Sequence, residues 1–353
     1  TVFLVTSLMA VYMFTLAPGL TWANGGSDGG DLITASITGG IPHPTGYPLY
    51  LLVARLFQLL PVGSLAFRTN LMSAIMTALA ALLVYVIVTR SLITSRVNQA
   101  WPAGLAAGYA FGLAPLVWSQ AVITEVYALQ ALLVLLIIYL SVQPAQTSSL
   151  SQNRLDSRRG LLLGLAMGNH LTTLLLVPAA LWVGAIRRRD DSGVTSKSGF
   201  GWLWNWRLDG YSVCRQFVWM GTGLSIYLLL PFRALAHPPI NWGNPITPGR
   251  LWWLVSGGLY QSYYLHTSLP EIWERLHAWA ALLLVQFGLP GVLLGLIGLV
   301  VYGFPSRLYF FSIWTALVSI SFALLYGSDD SYMYLIPMFI SFAIWIGLGT
   351  KGL

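Results

Sequence analysis

Between residues 25 and 50 the chain reads GGSDGGDLITASITGGIPHPTGYPLY, with two carboxylates, Asp28 and Asp31, three residues apart. A short helix starting near Ser27 would put both on one face of its first turn, where the helix dipole favours negative charge. An ionised carboxylate there can take a proton from an attacking hydroxyl, and the flanking glycines let backbone approach a ligand closely. The competing reading is an ordinary N-cap followed by a capping acid. His43 stands between Pro42 and Pro44, with Tyr47 and Pro48 close behind. Prolines at this density fix an extended loop. Such a loop can present an imidazole and a phenol to a pocket, or serve only as a brace.

Four further segments carry candidate groups. Glu125, in WSQAVITEVYALQ, is placed between two apolar runs, where it can bind a hydroxyl, position an arginine, support a metal or simply stabilise the next helix. His170 follows GLAMGN, and its ring can face a phosphate or be a satisfied structural residue. Arg233, in LPFRA, falls just past an apolar run at headgroup depth, where a guanidinium grips phosphate bidentately or snorkels to the interface. The stretch after it, with Trp242 and Asn244 in NWGNP and with Tyr260 and Tyr263, suits carbohydrate or lipid headgroups. An aromatic belt is the alternative for most of those rings. Asp329 and Asp330 precede the last apolar run, and the residues alone read slightly more as a solvated loop than as part of an acidic site.

The elements that position these groups are set by composition. Hydrophobic residues make up 56% of the 353 and charged residues only 8%, against about 25% charged in a soluble domain. A water-soluble core cannot absorb that surplus, whereas runs of roughly 18–20 apolar residues span a bilayer. The predicted fold is all-α: a polytopic transmembrane bundle, residues 1–353 forming one transmembrane domain. Spans are placed at about 1–19, 67–89, 101–119, 125–142, 213–231, 279–302, 308–327 and 331–349. The first is read as a span, not a signal peptide, because no A-x-A-like site follows it. Residues 160–186 are too short for two crossings. With Gly164, Gly168 and Asn169 weakening the helix and Pro178 interrupting it, they are predicted to enter and leave on one side, His170 near the turn. The segment 49–60, carrying Arg55 and Gln58, is predicted as an interfacial helix.

The net charge of +7 follows from basic residues gathered in loops. Applying the positive-inside bias puts the N-terminus and the basic loop 187–212 in the cytoplasm, as in a multi-pass protein of a bacterial plasma membrane. Loops 20–66 and 232–278 then lie outside. Seven of the eleven acidic residues share that outer face, and no acidic residue sits at a span centre. This argues against an ion-coupled transporter. No basic run interleaved with aromatics suggests nucleic acid as a partner. The single cysteine, Cys214, excludes an internal disulfide.

Taken in order, DGGD, HPTGYPLY, WSQAVITEVYALQ, GLAMGNHLT, LPFRA and NWGNP resemble the DUF2723 family of TMEM260-like protein O-mannosyltransferases over most of residues 20–265. That family is similar to GT-C membrane glycosyltransferases. The resemblance implies a sugar donor carried on a polyprenyl phosphate, a hydroxyl acceptor on protein or glycan, and catalytic carboxylates in the first extracytoplasmic loop. It implies Asp28 as base, and Asp31 stands where the family more usually has Glu. The expected mechanism is a single inverting attack, with Glu125 and Asp31 orienting sugar or acceptor. Arg233, with His170, would stabilise the departing phosphate, and His43, Tyr47, Trp242 and Asn244 would contribute to substrate binding. No cofactor is certain; a divalent metal is possible, although no His or Cys ligand spacing exists. Some members carry a soluble C-terminal region, and with this chain stopping at Leu353 an acceptor-binding domain is expected to be absent or supplied in trans. The alternatives are a non-catalytic membrane subunit that keeps the fold, and a transporter of lipid-linked sugars.

Overall fold

The computed structural model describes residues 1–94, 99–143, 148–188, 206–265, 267–301 and 307–352, so the middle of the predicted basic loop 187–212 lies outside the described residues. The helices are α1 (Val2–Thr15), α2 (Gly29–Thr38), α3 (Pro48–Gln58), α4 (Leu65–Thr94), α5 (Trp101–Gly112), α6 (Pro115–Ala121), α7 (Tyr127–Val142), α8 (Ser149–Met167), α9 (Val177–Ala185), α10 (Gly210–Leu224), α11 (Leu229–Leu235), α12 (Pro248–Val255), α13 (Leu269–Val301), α14 (Arg307–Leu325) and α15 (Ile336–Gly349). A short antiparallel ribbon joins β1 (Ile186–Arg188) to β2 (Trp206–Leu208). The protein is a helical membrane bundle. Five segments are long and apolar enough to cross a bilayer: Leu65–Thr94, Gly210–Leu235, Leu269–Val300, Arg307–Leu325 and Ser331–Gly349.

Side-chain bonds define two ends of the bundle. At one, Arg307 donates to the carbonyls of Gln143 (2.8 Å) and Ile186 (3.2 Å), which tie the exits of α7 and α9 to the start of α14. Arg159 is fully buried there. It donates to the carbonyls of Leu140 (2.8 Å) and Gly184 (3.0 Å) and pairs with Asp156 at 3.1 Å, which Arg215 also reaches at 3.3 Å. Arg159 is therefore an internal clamp on two helix ends, where cations are favoured. The opposite end carries the candidate residues of the sequence.

The segment around His170 crosses differently from the expectation. Helix α8 starts at Ser149, runs unbroken through Gly164 and stops at Met167. The chain turns at Gly168–His170 and returns through a 3-10 segment (Leu171–Leu176) and α9. The two limbs still enter and leave at the same end. Gly160 and Gly164 do not break the helix; they let α10 approach. A Cβ on Gly160 would lie 2.2 Å from the Gln216 carbonyl oxygen, and one on Gly164 would lie 2.1 Å from that of Met220. Small residues permit such contact where lipid supplies no hydrophobic force between helices. Pro178 stands in the first turn of α9, where its missing N–H costs nothing. The predicted span 101–119 is split at Pro115 into α5 and α6, and Gln286 Oε1 accepts the freed Leu116 N–H at 2.8 Å. The predicted interfacial helix is α3. It leaves Leu56 and Leu59 exposed while buried Gln58 donates to Ser36 Oγ (2.6 Å) and the Ile33 carbonyl (3.2 Å) of α2.

If glycine contact holds α8 to α10, Gly164→Val should lower the melting temperature in detergent markedly, overpacking costing about 1–3 kcal/mol. Gly221→Ala, on α10 where a Cβ meets nothing within 4 Å, should leave it unchanged or raise it. Equal effects of the two would refute this packing.

Candidate active site

Three loops meet at the end opposite the Arg159 clamp, joined by backbone bonds. Ile41 N–H donates to the Ile240 carbonyl (2.9 Å) and Trp242 N–H to that of Ile41 (3.1 Å). Leu265 N–H donates to the Leu325 carbonyl (2.9 Å) and Gly327 N–H to that of Tyr263 (2.8 Å). Gly46 closes the HPTGYP turn at φ +81°, where a Cβ would meet Leu230 at 2.9 Å. Beneath these loops lies a cavity of about 380 Å³. Its lining includes Asp28, His43, Tyr47, His170 and Asp330, and no Lys or Arg is among the described lining residues.

Asp28 precedes the first turn of α2, and its carboxylate makes no capping bond. It instead faces His43, its Oδ2 lying 3.4 Å from Nε2. The other ring nitrogen, Nδ1, lies 2.7 Å from Asp31 Oδ2, which also accepts the His43 backbone N–H at 2.9 Å. Asp31 Oδ1 accepts Trp242 Nε1–H at 3.3 Å. The three groups form a series, Asp31–His43–Asp28. Asp28 is its exposed end, with a side chain 45% accessible against 21% for Asp31 and 9% for His43. Asp31 does not line the cavity; it orients His43.

The segment before Asp28 is anchored from below. Asn70 of α4 donates to the carbonyls of Ala17 (2.8 Å) and Gly19 (3.1 Å) and accepts the Thr124 hydroxyl at 2.6 Å. Gln120 donates to the Asn24 carbonyl at 2.9 Å. Glu125 follows Thr124 in the loop before α7, only 3% exposed, and its Oε1 has no protein partner. Burial, with the Asp28 charge adding to it, pushes its carboxyl well above the usual range, while backbone hydrogen bonds from Asp28 and Val126 act oppositely. Glu125 lies behind Asp28 and outside the cavity lining.

His170 is held at the turn by a buried amide network: Asn169 donates to Gln130 Oε1 (3.0 Å), and Gln130 to the Thr173 hydroxyl (2.8 Å). Its Nδ1 accepts the Thr172 backbone N–H at 3.3 Å and meets the Thr172 hydroxyl at 2.8 Å. That assigns the proton to Nε2. Burial, followed by the neighbouring His43, lowers its pKa to about 4, so the ring is a neutral donor at pH 7. Tyr47 adopts φ +41° at the entry to α3. Its hydroxyl donates to the Pro44 carbonyl (3.2 Å) and its ring meets that of His43 edge-on at 5.1 Å.

The other candidates sit at the same end, outside the cavity lining. Arg233 donates to the Gly40 carbonyl at 3.4 Å, and Asn244 Oδ1 accepts from Asn241 at 3.2 Å, inside the turn that carries Trp242. Residues the sequence reading underrated complete the wall: Tyr260, Tyr326, Tyr334 and Asp330. In the sequence Asp330 stands four residues before Tyr334, and its meeting with Tyr260 depends on the Tyr264–Tyr326 bridge. Among the described residues no group of three or more His, Cys, Asp or Glu could hold a metal ion.

A family model for the N-terminal domain of protein O-mannosyl-transferase TMEM260 matches residues 28–193. The chain is 26% identical over 316 residues to "Protein O-mannosyl-transferase tmem260" of Dictyostelium discoideum, covering 84% of this chain and 36% of that protein. It is 32% identical over 173 residues to "Protein O-mannosyl-transferase TMEM260" of Mus musculus, covering 48% of this chain and 23% of that protein. The chain thus matches about a third of the length of the first relative and less than a quarter of the second. No solved structure matches.

The His170 environment makes a stability prediction. The unfolded chain takes up a proton near pH 6.5, the folded one not until about pH 4. Folding therefore loses stability as pH falls from 6.5 to 4. His170→Gln should flatten that part of a melting-temperature-against-pH curve. An unaltered acid limb would contradict burial of the neutral ring.

Proposed function

Because the chain belongs to the TMEM260-like O-mannosyltransferase family, we propose that it transfers a mannose-like hexose from a polyprenyl-phosphate donor to a hydroxyl of a protein or glycan acceptor. The observation that carries this reading is the Asp31–His43–Asp28 series, which ends on an accessible carboxylate at the wall of the cavity. The acceptor oxygen attacks the anomeric carbon, and the bond from that carbon to the phosphate oxygen breaks. Its electron pair leaves with the lipid phosphate, and one displacement inverts the anomeric centre. Asp28 takes the acceptor's proton. His43, with Nδ1 at 2.7 Å from Asp31 Oδ2, brings Nε2 to 3.4 Å from Asp28 Oδ2 and so holds the base in place at the cavity wall. Asp31 fixes that ring orientation by accepting from ring, backbone and Trp242.

The departing phosphate oxygen accepts a hydrogen bond from His170 Nε2–H, a donor that stays neutral over the working pH range. Glu125, buried behind Asp28 and receiving its backbone N–H, positions the base and does not meet substrate. Arg233 steadies the opening loop through the Gly40 carbonyl and is given no step. The cavity end faces the extracytoplasmic side and the Arg159 end the cytoplasm, as the basic loops imply.

Sugar transfer from a polyprenyl-phosphate donor, assayed in membranes, should fall about 100- to 10,000-fold in Asp28→Asn with protein level and melting temperature kept. Asp31→Asn should also lose activity, because a carboxamide cannot accept from all three donors. Full turnover by Asp28→Asn would remove the base and with it this reading.

A further inference from the structure

The wall across the cavity from His43 is built from a different part of the chain, and the mechanism above does not use it. Asp330 lines it. One carboxylate oxygen, Oδ1, accepts the Ser328 hydroxyl, while Oδ2 has no protein partner among the described residues. Arg275 is near but is occupied with main chain. It donates to the carbonyls of Tyr326 (2.6 Å), Ala323 (3.1 Å) and Ser328 (3.5 Å) and to the Ser331 hydroxyl (3.2 Å), capping α14 and fixing the turn that carries Asp330. The carboxylate is thus held in place and left without a cation. Beside it, Tyr260 and Tyr263 stack at 6.4 Å and 21°. Tyr263 in turn meets Tyr326 edge-on at 5.7 Å. Tyr260 also approaches His43, at 6.5 Å and 82°, so it spans the two walls. Burial and the charges of Asp28, Asp31 and Asp330 push its hydroxyl up to about 12, which keeps it a donor.

We propose that Asp330 and the Tyr260–Tyr263 pair form the subsite for the hexose ring, with Asp330 accepting hydrogen bonds from sugar hydroxyls and the tyrosine faces covering the apolar C–H face. Among the described residues this wall offers a fixed carboxylate and aromatic faces and no Lys or Arg, which suits a neutral polyol whose hydroxyls donate to the carboxylate and whose ring stacks on aromatics. The proposal rests on the glycosyl-transfer reading for the sugar's role, but its test does not require turnover.

The test is binding of methyl α-mannoside to the purified full chain in nanodiscs, read by saturation-transfer NMR. Asp330→Asn and Tyr260→Ala should each weaken binding about tenfold or more, while Gly221→Ala, outside the cavity lining, binds as the unaltered protein does. Ser328→Ala, which frees Asp330 without removing it, serves where Asp330→Asn fails to fold, and should shift affinity at least threefold. Unchanged binding in Asp330→Asn, or in Ser328→Ala when it is the variant used, overturns the subsite. So does the absence of mannoside binding by the unaltered protein. Normal binding with normal turnover in Asp28→Asn would instead sink the base assignment and leave the subsite standing.

Discussion

The carboxylate of Asp31 accepts from three donors on two distant parts of the chain: the backbone and ring of His43, and the indole of Trp242. Everything at the cavity end depends on that convergence. It fixes the first turn of α2 against the proline-rich loop and locks the second large loop over both. A half-buried carboxylate with three N–H donors is well solvated by protein, so it can anchor rather than react. Asp28, three residues earlier, has no such set of donors and is left to face the cavity.

The two ends of the bundle handle charge in opposite ways. At the basic end Asp156 is buried with Arg159 and Arg215 against it, and spare guanidinium donors cap helix carbonyls. A buried pair of this kind specifies geometry more than it stabilises. At the cavity end no arginine or lysine is among the described lining residues, and burial pushes the carboxyl of Glu125 well above its usual range. The polar side chains lining it are carboxylates, imidazoles and hydroxyls, which act on a ligand by hydrogen bonding. Neutral His170, locked by Thr172 as an Nε2–H donor, fits that pattern.

The backbone bridges between loops explain why the cavity needs segments more than 200 residues apart. Isolated β-bridges, Ile41 beside Asn241 and Tyr264 beside Tyr326, join loops that have no helix in common. Each bridge sets the register of one aromatic wall: Trp242 over Asp31 in one case, the stacked Tyr260 and Tyr263 beside Asp330 in the other. Arg275 then makes the last turn rigid from the side of α13.

The sequence by itself determined the membrane class and most of the helices, because apolar length and the scarcity of charge are local properties that lipid reads directly. It also singled out Asp28, His43, Tyr47 and His170, which all line the cavity, since HPTGYP and the Gly-Asn turn are local backbone constraints. Only the tertiary structure separated Asp31 from Asp28, for their difference lies in donors supplied by distant residues. Only it made Arg159 a buried clamp and turned Gly164 from a helix breaker into a contact point. It alone brought Asp330 and Tyr260 to one wall. Those outcomes depend on which backbone comes close to which, and no spacing along the chain encodes that distance.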